Sequence, residues 1–346
     1  MFYIHQSNCI SHQQTLGLDN WDELKLSQNN QLHAIEPKYH GIPPGNLRRM
    51  GKAARMGVGA GLPLLMQHKP DGILIGTSNG GQEDSMKFLD QIMEYDEGRL
   101  TPTNFVQSTY NAIAGQLAMI TENQGYNITH VHRGLAFEAA ALDAAMLLRE
   151  NPAHSYLIGG VDEISPRNYR TESLAGWYKV EDVVNTELFN SSSVGTLPGE
   201  GAAMFIVNNT KEGAAAKLLS LKLLNTGNEN VIVEQLKLFL QQNLPAENHI
   251  DLLLSGDCGD NRFTKFYDHS EQVVTDETTM ARFKHVTGEF PTASALALWL
   301  GTHIIQQQTL PQYMIKKKGS SKSFNHVLIY NNFKGAQHSF TLLQSV

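Results

Sequence analysis

Few residues in this sequence have the type and setting needed for covalent or acid–base chemistry. The chain has two cysteines, Cys9 and Cys258, and a thiolate is a strong nucleophile and metal ligand. Cys258 lies in the segment DCGDNRF, whose glycine and aspartates are typical of a loop, so we expect an unreactive loop cysteine. His130 and His132 alternate and would share one face of a strand. A metal site would need further ligands, and none is expected.

Composition and charge exclude several classes of protein. The chain has 346 residues, of which 41% are hydrophobic and 18% charged, which is typical of a globular protein with two packed domains. A net charge of −7 argues against a nucleic-acid binder, which needs a basic face. The N-terminal segment lacks the basic and apolar regions of a signal peptide, and no window approaches the ~18 apolar residues of a membrane span. We expect a cytoplasmic protein without a cofactor.

Short apolar runs alternate with segments of helical spacing along the whole chain. Strands are predicted at 2–10, 72–76, 155–158, 202–207, 218–223, 250–254 and 327–331. Helices are predicted at 47–66, 83–95, 111–121, 135–149, 231–242 and 292–307. This alternation predicts an α/β protein. Both 1–208 and 209–346 contain a strand–helix–strand order, so two domains with a duplicated architecture are expected, without a close sequence repeat.

Segment 129–163, THVHRGLAFEAAALDAAMLLRENPAHSYLIGGVDE, joins a turn, a helix of small residues and a strand that runs into GGVDE. It resembles the nucleophile segment of the β-ketoacyl synthases. In that family a cysteine on a tight turn precedes such a helix, and the next strand ends in Gly-Gly-Val/Ala-Glu. Counting back from Gly159 by the interval usual in the family puts the nucleophile position at Gly134. The resemblance therefore implies a condensing-enzyme scaffold without its nucleophile.

Further motifs similar to those of the family follow in the expected order. They are RRM at 48–50, the glycine-rich turn GTSNGG at 76–81, NAIAGQ at 111–116, GEGAA at 199–203, the segment KHVTG at 284–288 and the Asn332-Phe333 turn. Each motif is weak alone, but their order and spacing are specific, and together they span most of the chain. The resemblance implies a thiolase-like fold, with two similar halves forming a five-layered αβαβα sandwich. It also implies a dimer that pairs through the first half, beside the nucleophile segment.

All three catalytic positions implied by the resemblance depart from the family pattern. A condensing synthase uses a cysteine and two histidines, and here Gly134, Ser255 and Glu289 stand at those positions. Lys284 matches the lysine of the family's Lys-x-x-x-Gly-His segment, and Phe333 matches its gating phenylalanine. No catalytic residue is therefore assigned with certainty.

A pocket is expected around the implied nucleophile position. Its residues would be His132, Arg133, Gly134, Phe333 and Cys258. His132 and Arg133 are expected to fill the turn before Gly134, held by hydrogen bonds. Cys258 would face the same cleft from the other half.

These departures predict a catalytically degenerate ketoacyl-synthase homologue of fatty-acid or polyketide-type biosynthesis, including polyene pigment pathways. It resembles a chain-length factor, the subunit that pairs with an active synthase. One alternative is an active acyltransferase or malonyl-thioester decarboxylase that uses Glu289, Lys284 or His132. Another is a homodimeric binding or scaffold protein. The expected partners are an acyl carrier protein or acyl thioester and a second synthase-type subunit. The lysines at 316–318 are expected in a solvated loop, with docking of an acidic carrier protein as the alternative.

Overall fold

The computed structural model describes residues 1–16, 23–95, 98, 100, 102–245 and 248–346. The first half contains β1 (Phe2–Ile10), α1 (Pro44–Leu47), α2 (Lys52–Gln67), β2 (Gly72–Gly76), α3 (Gln82–Glu94), α4 (Pro102–Gln107), α5 (Ala112–Thr121), β3 (Tyr126–His130), α6 (Ala136–Glu150), β4 (Ser155–Asp162), α7 (Pro166–Leu174) and β5 (Gly201–Asn208). The second half contains β6 (Ala216–Asn225), α8 (Glu229–Asn243), β7 (Leu252–Ser255), α9 (Thr264–Glu271), β8 (Thr279–Arg282), α10 (Lys284–Thr287), α11 (Ala293–Gln307), β9 (Ile315–Lys317), β10 (His326–Phe333) and β11 (Gln337–Gln344).

The order of the strands shows the duplicated architecture that the sequence predicted. The described strands form one 11-stranded sheet in the order β3-β2-β4-β5-β1-β6-β11-β10-β7-β8-β9. Counted outward from the centre of the sheet, the first half has the order β1, β5, β4, β2, β3. The second half has the equivalent order β6, β11, β10, β7, β8, with β9 added at the edge. The halves join where β1 pairs with β6 over a short antiparallel stretch, Phe2↔Leu218 to Ile4↔Ala216. Because this pairing joins two half-sheets, the boundary at residue 208 stays a prediction about domains.

Helices and half-sheets alternate in five layers. On one outer side, α2 and α5 cover β2, β4 and β5 through a cluster that includes Met56, Ile73 and Leu157. In the middle, α6 and α11 lie between the two half-sheets and share one apolar cluster with both of them. On the other outer side, α8 and α9 cover β10 and β11. The chain therefore has the α/β, five-layered thiolase-like architecture expected from its sequence.

The central helix α6 packs closely on the sheet because small residues meet there. A Cβ atom on Gly76 of β2 would lie 2.5 Å from the backbone of Ala136, so only glycine permits this approach. Ala140 and Ala144 are buried on the same side of α6. The alanine face thus packs inside the chain, and the opposite face of α6 exposes Leu142 and Met146.

Most predicted elements are present, with shifted ends. The helix predicted at 47–66 is two helices, α1 and α2, separated by residues 48–51. The strand predicted at 155–158 extends to Asp162. Among the described residues, no helix has the length and apolar character needed to cross a bilayer.

Candidate active-site cavity

A cavity of about 430 Å³ lies between the two halves. The residues that follow β2, β3 and β4 line it from the first half, and those that follow β7 and β10 line it from the second. Ligands of open α/β sheets bind beyond the carboxyl ends of such strands. This cavity is therefore the candidate site.

The turn that carries the implied nucleophile position is closed by a phenylalanine. Residues Arg133–Leu135 form one 3₁₀ turn, with Arg133 in the left-handed conformation at φ 48°. The Gly134 amide donates a hydrogen bond to Oε1 of Gln337 at 2.9 Å. A Cβ atom on Gly134 would lie 2.2 Å from Cβ of Phe333. Since real Cβ atoms do not approach so closely, a side chain at 134 requires Phe333 to move.

The structure divides the residues expected in the pocket into two groups. Arg133, Phe333 and Cys258 line the cavity, whereas His132 and Gly134 are not among its lining residues. β3 ends at His130, so His132 lies beyond the strand, and its side chain is exposed rather than filling the turn. Gly134 is buried behind Phe333.

Ser255, where the resemblance implies the first family histidine, also lies outside the cavity lining. Ser255 is the last residue of β7 and is buried. Its carbonyl accepts the amide of Phe283 at 3.2 Å, and its hydroxyl accepts the amide of Asp257 at 3.4 Å. Ser255 therefore holds the backbone at the ends of β7 and β8.

Lys284 and Glu289 form a buried ion pair at the second-half side of the cavity. Lys284 Nζ donates to Glu289 Oε2 at 2.5 Å and to the carbonyl of Asn332 at 3.1 Å. Lys284 is fully buried, and Glu289 is 8% exposed and lines the cavity. Burial raises the pKa of the Glu289 carboxyl, and the ammonium of Lys284 opposes that rise. The pair ties the start of α10 to the end of β10, next to Phe333.

Backbone contacts hold Glu289 against the first half. Its amide donates to the carbonyl of Leu197 at 2.8 Å, and its carbonyl accepts the amide of Gly199 at 3.0 Å. Glu289 thus belongs to a bridge between the two halves, and its side chain enters the cavity from a fixed backbone.

Cys258 lies on a loop that is fixed at several points. Thr196 Oγ1 donates to the Cys258 carbonyl at 2.6 Å, and Asp257 Oδ1 accepts the Gly259 amide at 3.1 Å. Gly259 has φ 70° and a neighbour, Leu188, that leaves no room for a side chain. Burial raises the pKa of the Cys258 thiol to about 12, so the resting group is a thiol and not a thiolate.

Asp162 joins the first-half loop after β2 to the start of α11. Its Oδ1 accepts the amides of Ser78 and Asn79 at 2.8 and 2.6 Å. Its Oδ2 accepts the amide and hydroxyl of Thr292 at 3.1 and 2.8 Å. This buried carboxylate holds the glycine-rich turn in place at the cavity wall.

Two groups that line the cavity were not predicted from the sequence. One is an aromatic wall, in which Tyr169 stacks on Tyr178 with centroids 5.3 Å apart and Trp177 faces Phe263 at 6.3 Å. Tyr169, Trp177 and Tyr178 lie in and after α7, a polar helix, and Phe263 directly precedes α9. The other is Glu163, whose pKa burial raises to about 7; its position after a buried strand was the available signal.

Metal-ligating residues do not gather in the part of the chain that the structure describes. No group of three or more His, Cys, Asp or Glu side chains is close enough to hold an ion there. His130 instead bonds Asp143 of α6 at 2.9 Å.

Comparison with known proteins agrees with this architecture. Residues 19–177 match the family model of the β-ketoacyl synthase N-terminal domain. A comparison with curated protein sequences found no significant match. The chain is similar in structure to a β-ketoacyl synthase from Burkholderia phymatum, with 13% identity, a TM-score of 0.78, and coverage of 100% of this chain and 99% of the other.

Two further similar structures contain a chain length factor. The ishigamide ketosynthase/chain length factor has 14% identity, a TM-score of 0.79, and coverage of 100% and 99%. A ketosynthase in complex with its chain length factor, from Xenorhabdus doucetiae, has 11% identity, a TM-score of 0.76, and coverage of 100% and 98%. The chain therefore has the thiolase-like fold of these ketosynthase structures, and its residues 19–177 match the model of the β-ketoacyl synthase N-terminal domain.

Proposed function

We propose that this protein is a non-condensing, chain-length-factor-like subunit that pairs with an active β-ketoacyl synthase in fatty-acid or polyketide-type biosynthesis, polyene pigments included. The observation that carries the proposal is the packing of Phe333 onto Gly134, where Cβ atoms would be 2.2 Å apart. A condensing synthase needs a nucleophile that holds the acyl chain at that turn. Here the turn has no side chain and no space for one.

The other two family positions support the absence of condensation. Decarboxylation of a malonyl thioester generates an enolate, which needs hydrogen-bond donors or positive charge nearby. Ser255 is buried away from the cavity, and the ionised form of Glu289 would repel the enolate. Lys284 is directed to Glu289 and Asn332, so its charge is already engaged.

The outer edge of the first half supports a partner subunit. β3 is the last strand of the sheet, and α5 and α6 both pack on it. Met119 of α5 is 74% exposed and Met146 of α6 is 55% exposed. In the described chain this strand edge is unpaired, and unpaired edges with exposed apolar neighbours mark association sites. The alanine face of α6 packs internally, so the partner would contact the edge of β3 and the opposite face of α6.

A basic groove beside the cavity supports contact with an acidic acyl carrier protein. The groove of about 600 Å³ is lined by Arg48 and Arg49 and by Lys87, which pairs with Glu83 of the same groove, and it shares Glu163 with the cavity. Arg48 and Arg49 are exposed on a chain whose net charge is −7. Charge complementarity of this kind guides docking.

The lysines at 316–318 are a weaker candidate for that docking. Lys316 bonds Glu271 at 2.6 Å, and Lys317 bonds Asp276 at 2.7 Å. Two of the three positive charges are therefore already partly neutralised.

Light scattering after co-expression with an intact Cys–His–His synthase from the same genome tests the proposal. We expect a stable complex, and we expect Met119→Glu and Met146→Glu each to weaken it at least tenfold, because a charge would be buried in the apolar interface. Val180→Glu, at a side chain that is 94% exposed on the loop after α7, is the matched control and should leave the complex intact. A monomer both alone and with the synthase would contradict the proposal.

A condensation assay separates the proposal from its alternatives. Alone, the protein should yield no β-ketoacyl product from acyl and malonyl thioesters, whereas the complex should. Product from the isolated chain would favour an active enzyme with non-standard residues. A tight homodimer that ignores the synthase would favour the homodimeric scaffold.

A further inference from the structure

Arg133 has a backbone conformation that arginine rarely adopts. Its φ of 48° is in the left-handed region, where the Cβ atom of an L-residue crowds its own backbone. Such conformations persist where neighbouring contacts enforce them, and they are frequent at ligand-binding sites. Arg133 is exposed and lines the cavity between the two halves. The strained residue therefore lies where a ligand in the cavity would meet it.

One side chain holds the backbone on both sides of Arg133. The amide of Gly134 donates to Gln337 Oε1 at 2.9 Å, and Gln337 Nε2 donates to the carbonyl of His132 at 3.4 Å. Gln337 belongs to β11 in the second half, so contacts between the halves fix this turn. The side chain of Arg133 thus extends from a fixed backbone, as a preorganised binding site requires.

The positive charge of Arg133 is not neutralised within the described chain. Another cationic side chain of the cavity wall, Lys334, forms an ion pair with Glu172 and lies 4.5 Å from the ring centroid of Trp177. Arg133, by contrast, forms no ion pair or side-chain hydrogen bond with any described residue. A free guanidinium presents a planar set of N–H donors, which binds a carboxylate through two parallel hydrogen bonds.

The acidic side chains of the same wall leave that charge available to a ligand. Glu172, Asp260 and Glu289 are each paired with a cation. Burial raises the pKa of Glu163 to about 7, so at about pH 6 its carboxyl is mostly neutral. An anion that enters the described cavity at that pH would meet an unpaired cation without an unpaired carboxylate beside it.

The rest of the wall suits an apolar tail. The cavity of about 430 Å³ has the size of a small-molecule site. Phe290, Phe333 and Trp177 line it, and Phe333 packs on Gly134, the residue after Arg133. A hydrocarbon chain that leaves water for this aromatic surface is stabilised by the hydrophobic effect, while a charged end group remains at Arg133.

We propose that Arg133 makes the cavity a noncovalent binding site for a free carboxylic acid with an apolar tail, of the medium-chain fatty acid type. The guanidinium binds the carboxylate, and the tail lies along the aromatic side chains. No bond forms or breaks, and the ligand carries no thioester. The inference does not rest on the proposed partner role, because binding is measured on the isolated chain, and its failure would leave the association and condensation experiments unchanged.

Isothermal titration calorimetry with sodium octanoate at about pH 6, below the pKa of Glu163, tests the inference. We expect one octanoate per chain. Methyl octanoate has a similar tail without the charge, and it should bind about tenfold more weakly or less, since hydrogen bonds to a charged group add at least that factor. Octylamine, with the opposite charge, should not bind.

Arg133→Gln should weaken octanoate binding about tenfold or more. Arg133→Lys keeps the charge but not the planar fork, so it should recover part of the loss. Arg149→Gln is the matched control, because Arg149 is an exposed cation in the last turn of α6 that does not line the cavity. If Arg133→Gln does not fold, as circular dichroism would show, Arg133→Gly removes the same charge and suits a φ of 48°.

Gln337 is a positioning residue on this proposal, and its variant has its own readout. Gln337→Leu removes both hydrogen bonds that hold the turn. It should weaken the binding of octanoate and leave the binding of methyl octanoate unchanged, because only the carboxylate uses Arg133. A general loss of structure would weaken both ligands equally.

Each outcome decides the matter. No octanoate binding, equal affinities for octanoate and methyl octanoate, or undiminished octanoate binding by Arg133→Gln would overturn the proposal. A loss in Arg149→Gln as large as that in Arg133→Gln would also overturn it, because it would show that net charge and not a site is measured. Equal weakening of both ligands by Gln337→Leu would overturn the positioning role of Gln337.

Discussion

The two halves of the chain line one cavity with different kinds of residues. On the first-half side, the turn at Gly134 is sealed by Phe333, and Glu163 is buried without a cation bonded to it in the described structure. On the second-half side, Glu289 is paired with Lys284, and the buried Cys258 lines the cavity. The side where the resemblance implies the nucleophile is closed, while the side where it implies the two histidines has a charged pair and a thiol.

This difference teaches that one turn of a cavity wall can be closed while the cavity beside it stays open. Gly134 offers no side chain at its turn, and Phe333 fills the space there. The cavity persists because other residues, above all the Asp162 and Glu289 bridges, hold the two halves at a fixed separation.

The largest expected effect comes from breaking the charged pair on the second-half side. Lys284→Met leaves Glu289 buried without its cation and should cost about 3–5 kcal/mol of unfolding free energy. The double variant Lys284→Met/Glu289→Leu removes both charges and should recover most of that loss. Urea unfolding measures both values. Equal losses in the single and double variants would show that packing, and not charge, dominates this side.

The next largest effect is a pH dependence of the folding stability that Glu163, on the first-half side, should cause. Burial raises the pKa of Glu163 from 4.5 to about 7, so the folded protein keeps a proton there that the unfolded chain releases. The proton on Glu163 therefore adds about 3 kcal/mol to the free energy of unfolding. This contribution is complete below pH 4.5 and is lost as the pH rises through 7.

Glu163→Gln is the matched variant for that titration. It is neutral at every pH and can still accept the amide bond that Ala53 donates to Glu163. We expect this variant to equal the wild type at pH 4 and to exceed it at pH 8, as followed by thermal unfolding. Parallel pH profiles for the two proteins would refute the assignment to Glu163.

The smallest effect tests the sealed turn itself. Gly134→Ala should destabilise the fold by about 1–3 kcal/mol, because the new methyl group overlaps Phe333. In a Phe333→Ala background the loss should persist, since Cβ of Phe333 is the nearest atom. In a Phe333→Gly background it should shrink, as a double-mutant cycle would show.

Gly115 provides the control for this glycine. It lies in α5, and a Cβ atom there would meet nothing within 4 Å. Gly115→Ala should therefore stabilise the protein by about 0.5–1 kcal/mol through helix propensity. A Gly134→Ala protein as stable as Gly115→Ala would mean that Phe333 moves aside freely.

Much of the fold could be predicted because the spacing of apolar residues along the sequence indicates the helices and buried strands. The helix predicted at 135–149 and the buried strand predicted at 72–76 agree with α6 and β2 within one residue, since apolar spacing reports burial directly. β8 and α9 were not predicted, because short elements give too few residues to establish a period. The end of β3 was not predicted, because this partly exposed edge strand lacks the apolar run that marks a central strand.

By itself, the sequence determined that residue 134 offers no nucleophile and that the ordered motifs belong to a thiolase-like chain. Both are properties of residue identity and order. Only the tertiary structure decided that Phe333 fills the space at Gly134 and that His132 is exposed and does not line the cavity. These outcomes depend on contacts between distant positions, such as the bond from Gly134 to Gln337, 203 positions along the chain. The local spacing of residue types does not predict such contacts, because they form only when the two half-sheets pack on the central helices.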